Sequence, residues 1–285
     1  MDSIIETCPG CARRLRVPTL RGPLALTCPA CRMSWDWSPP ESLTQFEPDP
    51  ARLEPFKPFT TLGASFANHA ASGEEWIRQV LSLKTVVYGS GRIAREGDVV
   101  RHDVAPAELA LCRRLADEAR DLLRGKVDGG LGTEGHMPFD AFSIAANRDD
   151  PPPARIDEGL IRERFGGTIY PQAAIDVQPL SEDAKWWSQV RMCARESAYG
   201  KDRTRAIEAF LDAWRNLLRW FHDLPEFVDA AYVAIGDFDR LDALVIKRRR
   251  DESGMKFTPS VYPRLFLGLT RNGSLAGVVT HVVQT

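Results

Sequence analysis

The chain lacks a continuous apolar run long enough to span a membrane. Its most apolar long stretch, Leu217 to Ile235, is broken by Arg219, His222, Asp223, Glu226 and Asp229, which excludes a spanning helix there. The opening residues Met-Asp-Ser-Ile-Ile-Glu-Thr have neither the basic nor the apolar region of a secretory signal, so a cytoplasmic location is expected. An excess of one charge is missing too. A formal net charge of −2 over 285 residues argues against a polyelectrolyte-like nucleic-acid binder and leaves room only for a local basic patch. Histidine is scarce, at five residues. The chain shows no Ser/His/Asp series, no P-loop and no second metal cluster.

What is present is concentrated near the N-terminus. Four of the six cysteines stand as Cys8-Pro9-Gly10-Cys11 and Cys28-Pro29-Ala30-Cys31, sixteen residues apart. Two Cys-x-x-Cys turns at this separation offer four thiolates to one tetrahedral ion, the pattern of a structural zinc site. Four thiolates close the coordination sphere, so the site is read as structural rather than catalytic. Rubredoxin-like iron would use the same ligands, and paired disulfides would need an oxidising compartment. The segment between the pairs is long enough to run out and back as a hairpin, with Gly22-Pro23 at its turn. Met33, Trp35 and Trp37 follow with strand alternation. A module of this size buries too little apolar surface to fold alone. Structural zinc supplies an apparent ~10–16 kcal/mol.

Residues 4 to 37 resemble the small bacterial N-terminal zinc ribbons that read CPxC, a basic strand, a glycine turn, CPxC and an aromatic. The matching residues are Cys8 to Cys11, Arg14-Leu15-Arg16-Val17-Pro18, Gly22, Cys28 to Cys31 and Trp35. The resemblance implies a structural zinc and a cytoplasmic bacterial protein, and it implies no reaction. Such knuckles often carry glycine after the second cysteine, where a left-handed residue is easiest; here Ala12 and Arg32 follow, so strain is expected at both. The first forty residues hold Arg13, Arg14, Arg16, Arg21 and Arg32 against Asp2, Glu6 and Asp36, a surplus of two. Arg13, Arg14, Arg16 and Arg32 are candidate contacts to nucleic acid or to a partner protein.

The remainder reads as a proline-rich linker, residues 39–62, followed by an α+β body from 63 to 285. A second proline-rich break falls at 147–155. In the body the pattern predicts a short helix over 73–83, an antiparallel unit around Thr85-Val86-Val87-Tyr88, and a helix opened by Pro106. It further predicts a strand over 168–177, a helix capped by Ser181, and a helix capped by Asp202 with an apolar stripe from Ile207 to Phe221. A second helix restarts at Pro225, and a strand covers 241–246. Asn272-Gly273 signals a type I′ hairpin between residues 264–270 and 274–284. That turn sets Gly268 opposite Gly277 and leaves a gap that an aromatic such as Trp214 would fill. The fold class is therefore α+β, with a zinc ribbon and amphipathic helices on a mainly antiparallel sheet.

Candidate chemistry in the body is sparse. Lys247, Arg248, Arg249 and Arg250 form a basic run suited to phosphate or to a solvated turn. Gly130 to Gly135 matches a dinucleotide fingerprint by letter only, since a helix precedes it and Pro138 follows. His102-Asp103, Glu134, His136 and Asp140 are possible acid–base groups. Asp237 to Lys247 invites a nuclease reading, weakened because Lys247 falls five residues past Asp242, on the opposite face of a strand. The leading reading is a non-enzymatic binding or scaffold subunit. An enzyme with its site near His136 or near Asp237–Lys247, a nuclease or other hydrolase, is the alternative.

Overall fold

Each Cys-x-x-Cys pair forms the tip of its own hairpin. Strand β1 (Ser3–Thr7) runs into the first pair and β2 (Arg14–Pro18) leaves it; β3 (Leu24–Thr27) and β4 (Ser34–Trp37) do the same around the second. Each couple pairs antiparallel as a separate two-stranded sheet. This corrects the expected single hairpin between the cysteine pairs, in which β2 and β3 would be the arms. The reversal is already complete within each knuckle. The Ala12 N–H donates to the Cys8 carbonyl and the Cys8 N–H to the Arg13 carbonyl, both at 2.9 Å. The Arg32 and Cys28 N–H groups repeat both bonds at 2.9 Å, to Cys28 and Met33.

The computed structural model describes residues 3–18, 24–37, 54–55, 76–82, 84–101, 103–127, 131, 138–198, 202–236, 244–247 and 260–284. After the two hairpins come β5 (Glu54–Pro55), β6 (Trp76–Gln79), β7 (Thr85–Val87), β8 (Ile93–Arg95), α1 (Pro106–Leu123) and β9 (Asp140–Ile144). They are followed by α2 (Glu158–Arg164), β10 (Ile175–Pro179), α3 (Lys185–Ser197), α4 (Arg203–Asp223), β11 (Phe227–Ile235), β12 (Leu244–Lys247), β13 (Ser260–Thr270) and β14 (Leu275–Gln284). The main sheet has the order β10-β11-β13-β14-β9, with every neighbouring pair antiparallel. Strand β6 joins β13 in parallel and β12 joins β6. A small sheet, β5-β7-β8, takes its first strand from within the proline-rich stretch.

Both faces of the main sheet are covered. Leu265, Leu267, Leu269 and Val279 face a layer containing Leu160 and Ile161 of α2, Phe165 and Ile93. Phe266, Val278 and Tyr232 face Trp186, Trp187, Trp214 and Phe221 from α3 and α4. The Trp214 ring lies 5.0 Å from Phe266 and 5.4 Å from Phe139. Phe210, Leu211, Leu217 and Leu218 are buried beside it, so the stripe read from the sequence is the buried face of α4. Asp202 occupies the N-cap position of α4 without a side-chain capping bond.

Several expected elements form differently. Within 73–83 the described residues make strand β6, not a helix, because β12 and β13 supply partners for its backbone. The segment after Pro225 is a strand as well. Val228, Tyr232, Val233 and Ile235 suit a sheet, and β11 is hydrogen-bonded on both sides. The predicted strand at 168–177 reduces to a bridge from Ile169 to Leu81, with β10 beginning at Ile175. Helix α3 starts at Lys185 rather than at Ser181. The side chain of Gln178, in β10, accepts from the Trp186 N–H at 3.1 Å and takes the capping role. Residues 147–155 form a turn inside the body, where the Asp150 carboxylate accepts from the Asn147 N–H and pairs with buried Arg164 at 3.0 Å.

The C-terminal hairpin is shifted by one residue from its expected register. Gly268 opposes Ala276, and Gly277 opposes Leu267. Thr270 N–H donates to the Ser274 carbonyl at 2.8 Å, so three residues rather than two make the turn. A type I′ turn needs positive φ at both central residues; here Gly273 alone has it, at +84°. The tertiary reason is Glu108, buried in the first turn of α1. Its carboxylate accepts from Thr270 Oγ1 at 2.9 Å and from Asn272 Nδ2 at 2.7 Å. Asn272 is thereby held as a donor to the helix. Gly268 does leave a gap, and Phe227 rather than Trp214 fills it: a Cβ there would run into the Phe227 ring.

Candidate metal centre

The two knuckles bring four sulfurs together. Cys8 Sγ lies 3.5 Å from Cys31 Sγ, and Cys11 Sγ lies 3.7 Å from Cys28 Sγ. All four fall within 4.8 Å of one another. Sulfurs at tetrahedral corners about 2.3 Å from a central zinc are about 3.8 Å apart, so the set fits one four-coordinate ion. The first cysteine of each pair is buried and the second exposed. Gly10 N–H points at Cys8 Sγ, 3.4 Å away, a donor that favours thiolate over thiol.

The electrostatics match that use. Backbone N–H groups of Cys31 and Ala30 hold the Cys28 thiol down to about 6. The Met33 N–H favours the Cys31 thiolate, yet the neighbouring thiols, led by Cys11, together with some desolvation among them, carry Cys31 up to about 12. Four adjacent sulfurs cannot all be anionic without a cation among them; a divalent ion removes the conflict. The knuckles carry the expected backbone strain, with Ala12 at φ +57° and Arg32 at φ +59°. Left-handed backbone costs an L-residue roughly 1–2 kcal/mol.

The hairpins are an internal duplication that the sequence reading missed. Cys8 and Cys28, Cys11 and Cys31, and Ala12 and Arg32 are each twenty positions apart. The strand registers and the alternation of burial repeat at the same offset. The signal was available as Thr-Cys-Pro-x-Cys, at 7–11 and 27–31, each preceded by an extended apolar segment.

The repeat is not carried into the charges. Ile5, Thr7, Arg14 and Arg16 form the exposed face of the first hairpin. The matching positions in the second are Ala25, Thr27, Ser34 and Asp36. Arg13 and Arg32 are exposed at the knuckles. Among the body candidates, Lys247 ends β12, while Arg248, Arg249 and Arg250 lie outside the described residues. So do Gly22-Pro23, His102, Glu134, His136 and Asp237 to Asp242, and most of the 39–62 and 130–135 stretches. Asp103 is paired with Arg148 at 3.7 Å, and Asp140 lies on β9 near buried His281. Among the described residues, no helix is long and apolar enough to cross a membrane.

No protein-family profile matches the chain, and no curated protein matches it.

Proposed function

We propose that the chain is a zinc-ribbon binding protein whose N-terminal hairpins contact nucleic acid. Zinc in the Cys8, Cys11, Cys28 and Cys31 site serves as a structural cross-link, and the α+β body acts as a scaffold in a bacterial multi-protein system. One observation carries the choice of contact face: the duplicated hairpins share their cysteines and burial but not their outer charge. Arg14 and Arg16 stand beside exposed Ile5 on one hairpin only. Cations next to an exposed apolar side chain suit a phosphate backbone with an adjacent base or sugar.

The test is binding of the full-length protein to mixed DNA and RNA across a salt series, alongside the Arg14→Glu/Arg16→Glu double variant. The wild type is expected to show a steep salt dependence. Losing two phosphate contacts should lower the slope of log K against log salt by roughly 1.4–1.8. Absence of binding even at low salt would overturn the nucleic-acid reading and leave the ribbon as a protein-docking or purely structural module.

A further inference from the structure

A cavity of about 400 Å³ opens where strand β10 meets the start of helix α3. Asp176 and Gln178 come from β10, Lys185 and Gln189 from α3, Tyr232 from β11, and Arg264 from β13. The volume falls in the range of small-molecule sites.

Arg264 is the unusual member. It sits inside the sheet at 9% exposure. Its Nη1 donates to the carbonyls of Ile235 at 3.2 Å and Pro263 at 3.0 Å. Among the described residues no carboxylate comes within ion-pair distance of it, and a buried cation without a counter-charge is costly. The wall opposite breaks a second rule. Helix starts favour anions, yet the first turn of α3 holds no acidic residue, begins with Lys185 and has no side-chain bond from its N-cap, Ala184. Among the described residues, Asp176 is the one carboxylate lining the cavity, and it accepts from Gln178 Nε2 at 2.5 Å. Two cations against one carboxylate leave the described lining positive. Burial pushes the Tyr232 phenol up, so its hydroxyl stays protonated and able to donate.

We infer that this cavity binds a small organic anion through a phosphate or carboxylate group, with Arg264 and Lys185 as its cationic partners. Arg264 is pre-positioned by its two backbone carbonyls, so little side-chain entropy is lost on binding. Lys185, exposed at the rim, would close over the anion. Among the described residues, Asp176 alone offsets these cations in the lining, and departures from local rules of charge placement concentrate at functional sites.

The test is calorimetric titration of the full-length protein with inorganic phosphate, pyrophosphate and succinate, each against sodium chloride at matched ionic strength. At least one probe is expected to bind saturably. Response to the two phosphates alone assigns a phosphoryl group, and response to succinate alone assigns a carboxylate. Lys185→Glu, at an exposed position, should weaken that binding about tenfold or more by turning a charge-assisted contact into repulsion. Arg264→Gln should abolish it if the variant folds by circular dichroism; if it does not fold, Lys185→Glu decides. Saturable binding of none of the three probes overturns the inference, as does unchanged affinity in Lys185→Glu or in a folded Arg264→Gln. The Arg14→Glu/Arg16→Glu variant should bind the same probe normally, which separates this site from the proposed hairpin face.

Discussion

The N-terminal hairpins and the C-terminal hairpin β13–β14 are the same element stabilised by different physics. In the N-terminal pair, Cys8, Val17, Cys28 and Trp37 are the buried residues among those described. Strands of four or five residues with one exposed face cannot offset the entropy of ordering them. An ion held by the four clustered cysteines would replace the missing core with a cross-link of four bonds. Strand β13, by contrast, has strand partners on both sides and apolar layers over both faces. Its turn is set by a buried carboxylate rather than by a metal. A hairpin needs one strong long-range constraint; burial supplies it at the C-terminal end, and an ion held by the four cysteines would supply it at the N-terminal end.

The largest expected effect tests whether those two constraints are independent. Cys28→Ser should lose the bound metal and, with it, the ordered amide resonances of residues 3–37, since structural zinc contributes an apparent ~10–16 kcal/mol. Resonances of β13 and β14 should stay in place. Metal analysis and a two-dimensional amide spectrum of the full chain read both at once. Collapse of both regions together would break the comparison and make the body depend on the ribbon.

A smaller effect is expected from the other side. Glu108→Ala leaves the Thr270 hydroxyl and the Asn272 amide without their acceptor, at a cost of about 1–3 kcal/mol in urea unfolding, with metal content unchanged. The variant should also change the acid limb of stability. Burial works to raise the Glu108 carboxyl, but hydrogen bonds from Ser274, Asn272, Thr270 and Cys112 outweigh it and hold the carboxyl below its ordinary value of 4.5. A depressed acid contributes stability above its unfolded-state pKa and loses it as pH falls through its folded-state pKa. Unfolding measured from pH 5 downward should therefore lose less stability in Glu108→Ala than in the wild type. Equal losses would mean that the turn does not depend on the charge.

The smallest effect sharpens the metal side alone. Arg32→Gly removes a side chain from a left-handed residue at φ +59°. It should strengthen metal binding by roughly 1 kcal/mol, about fivefold in a chelator competition, without moving the urea midpoint of the body. A weaker site would show that the Arg32 side chain stabilises the thiolates by more than its backbone strain costs.

Legibility from the sequence followed the range of the interaction. The cysteine knuckles, the strain at Ala12 and Arg32, the apolar stripe of α4 and the helix opened by Pro106 were readable because each depends on neighbours a few positions away. The strand after Pro225 was misread because its partners, β10 and β13, come from distant parts of the chain. The start of α3 was misplaced because its capping group is Gln178, on another element. The turn at Asn272-Gly273 carries a strong local signal for type I′, and Glu108 overrides it by recruiting Asn272 as a donor. Arg264 drew no notice within an apolar strand, because only the assembled sheet shows that it is buried with no carboxylate near it among the described residues.

By itself the sequence determined which four cysteines cluster, the α+β class and the buried face of α4. Thiol identity at fixed spacing and the period of apolar residues are local properties. Tertiary structure decided which strands pair, that each cysteine knuckle closes its own hairpin, the one-residue register of β13 on β14, and the meeting of Arg264 with the start of α3. Each of these joins groups far apart in the chain, and which distant groups meet depends on the packing of the whole.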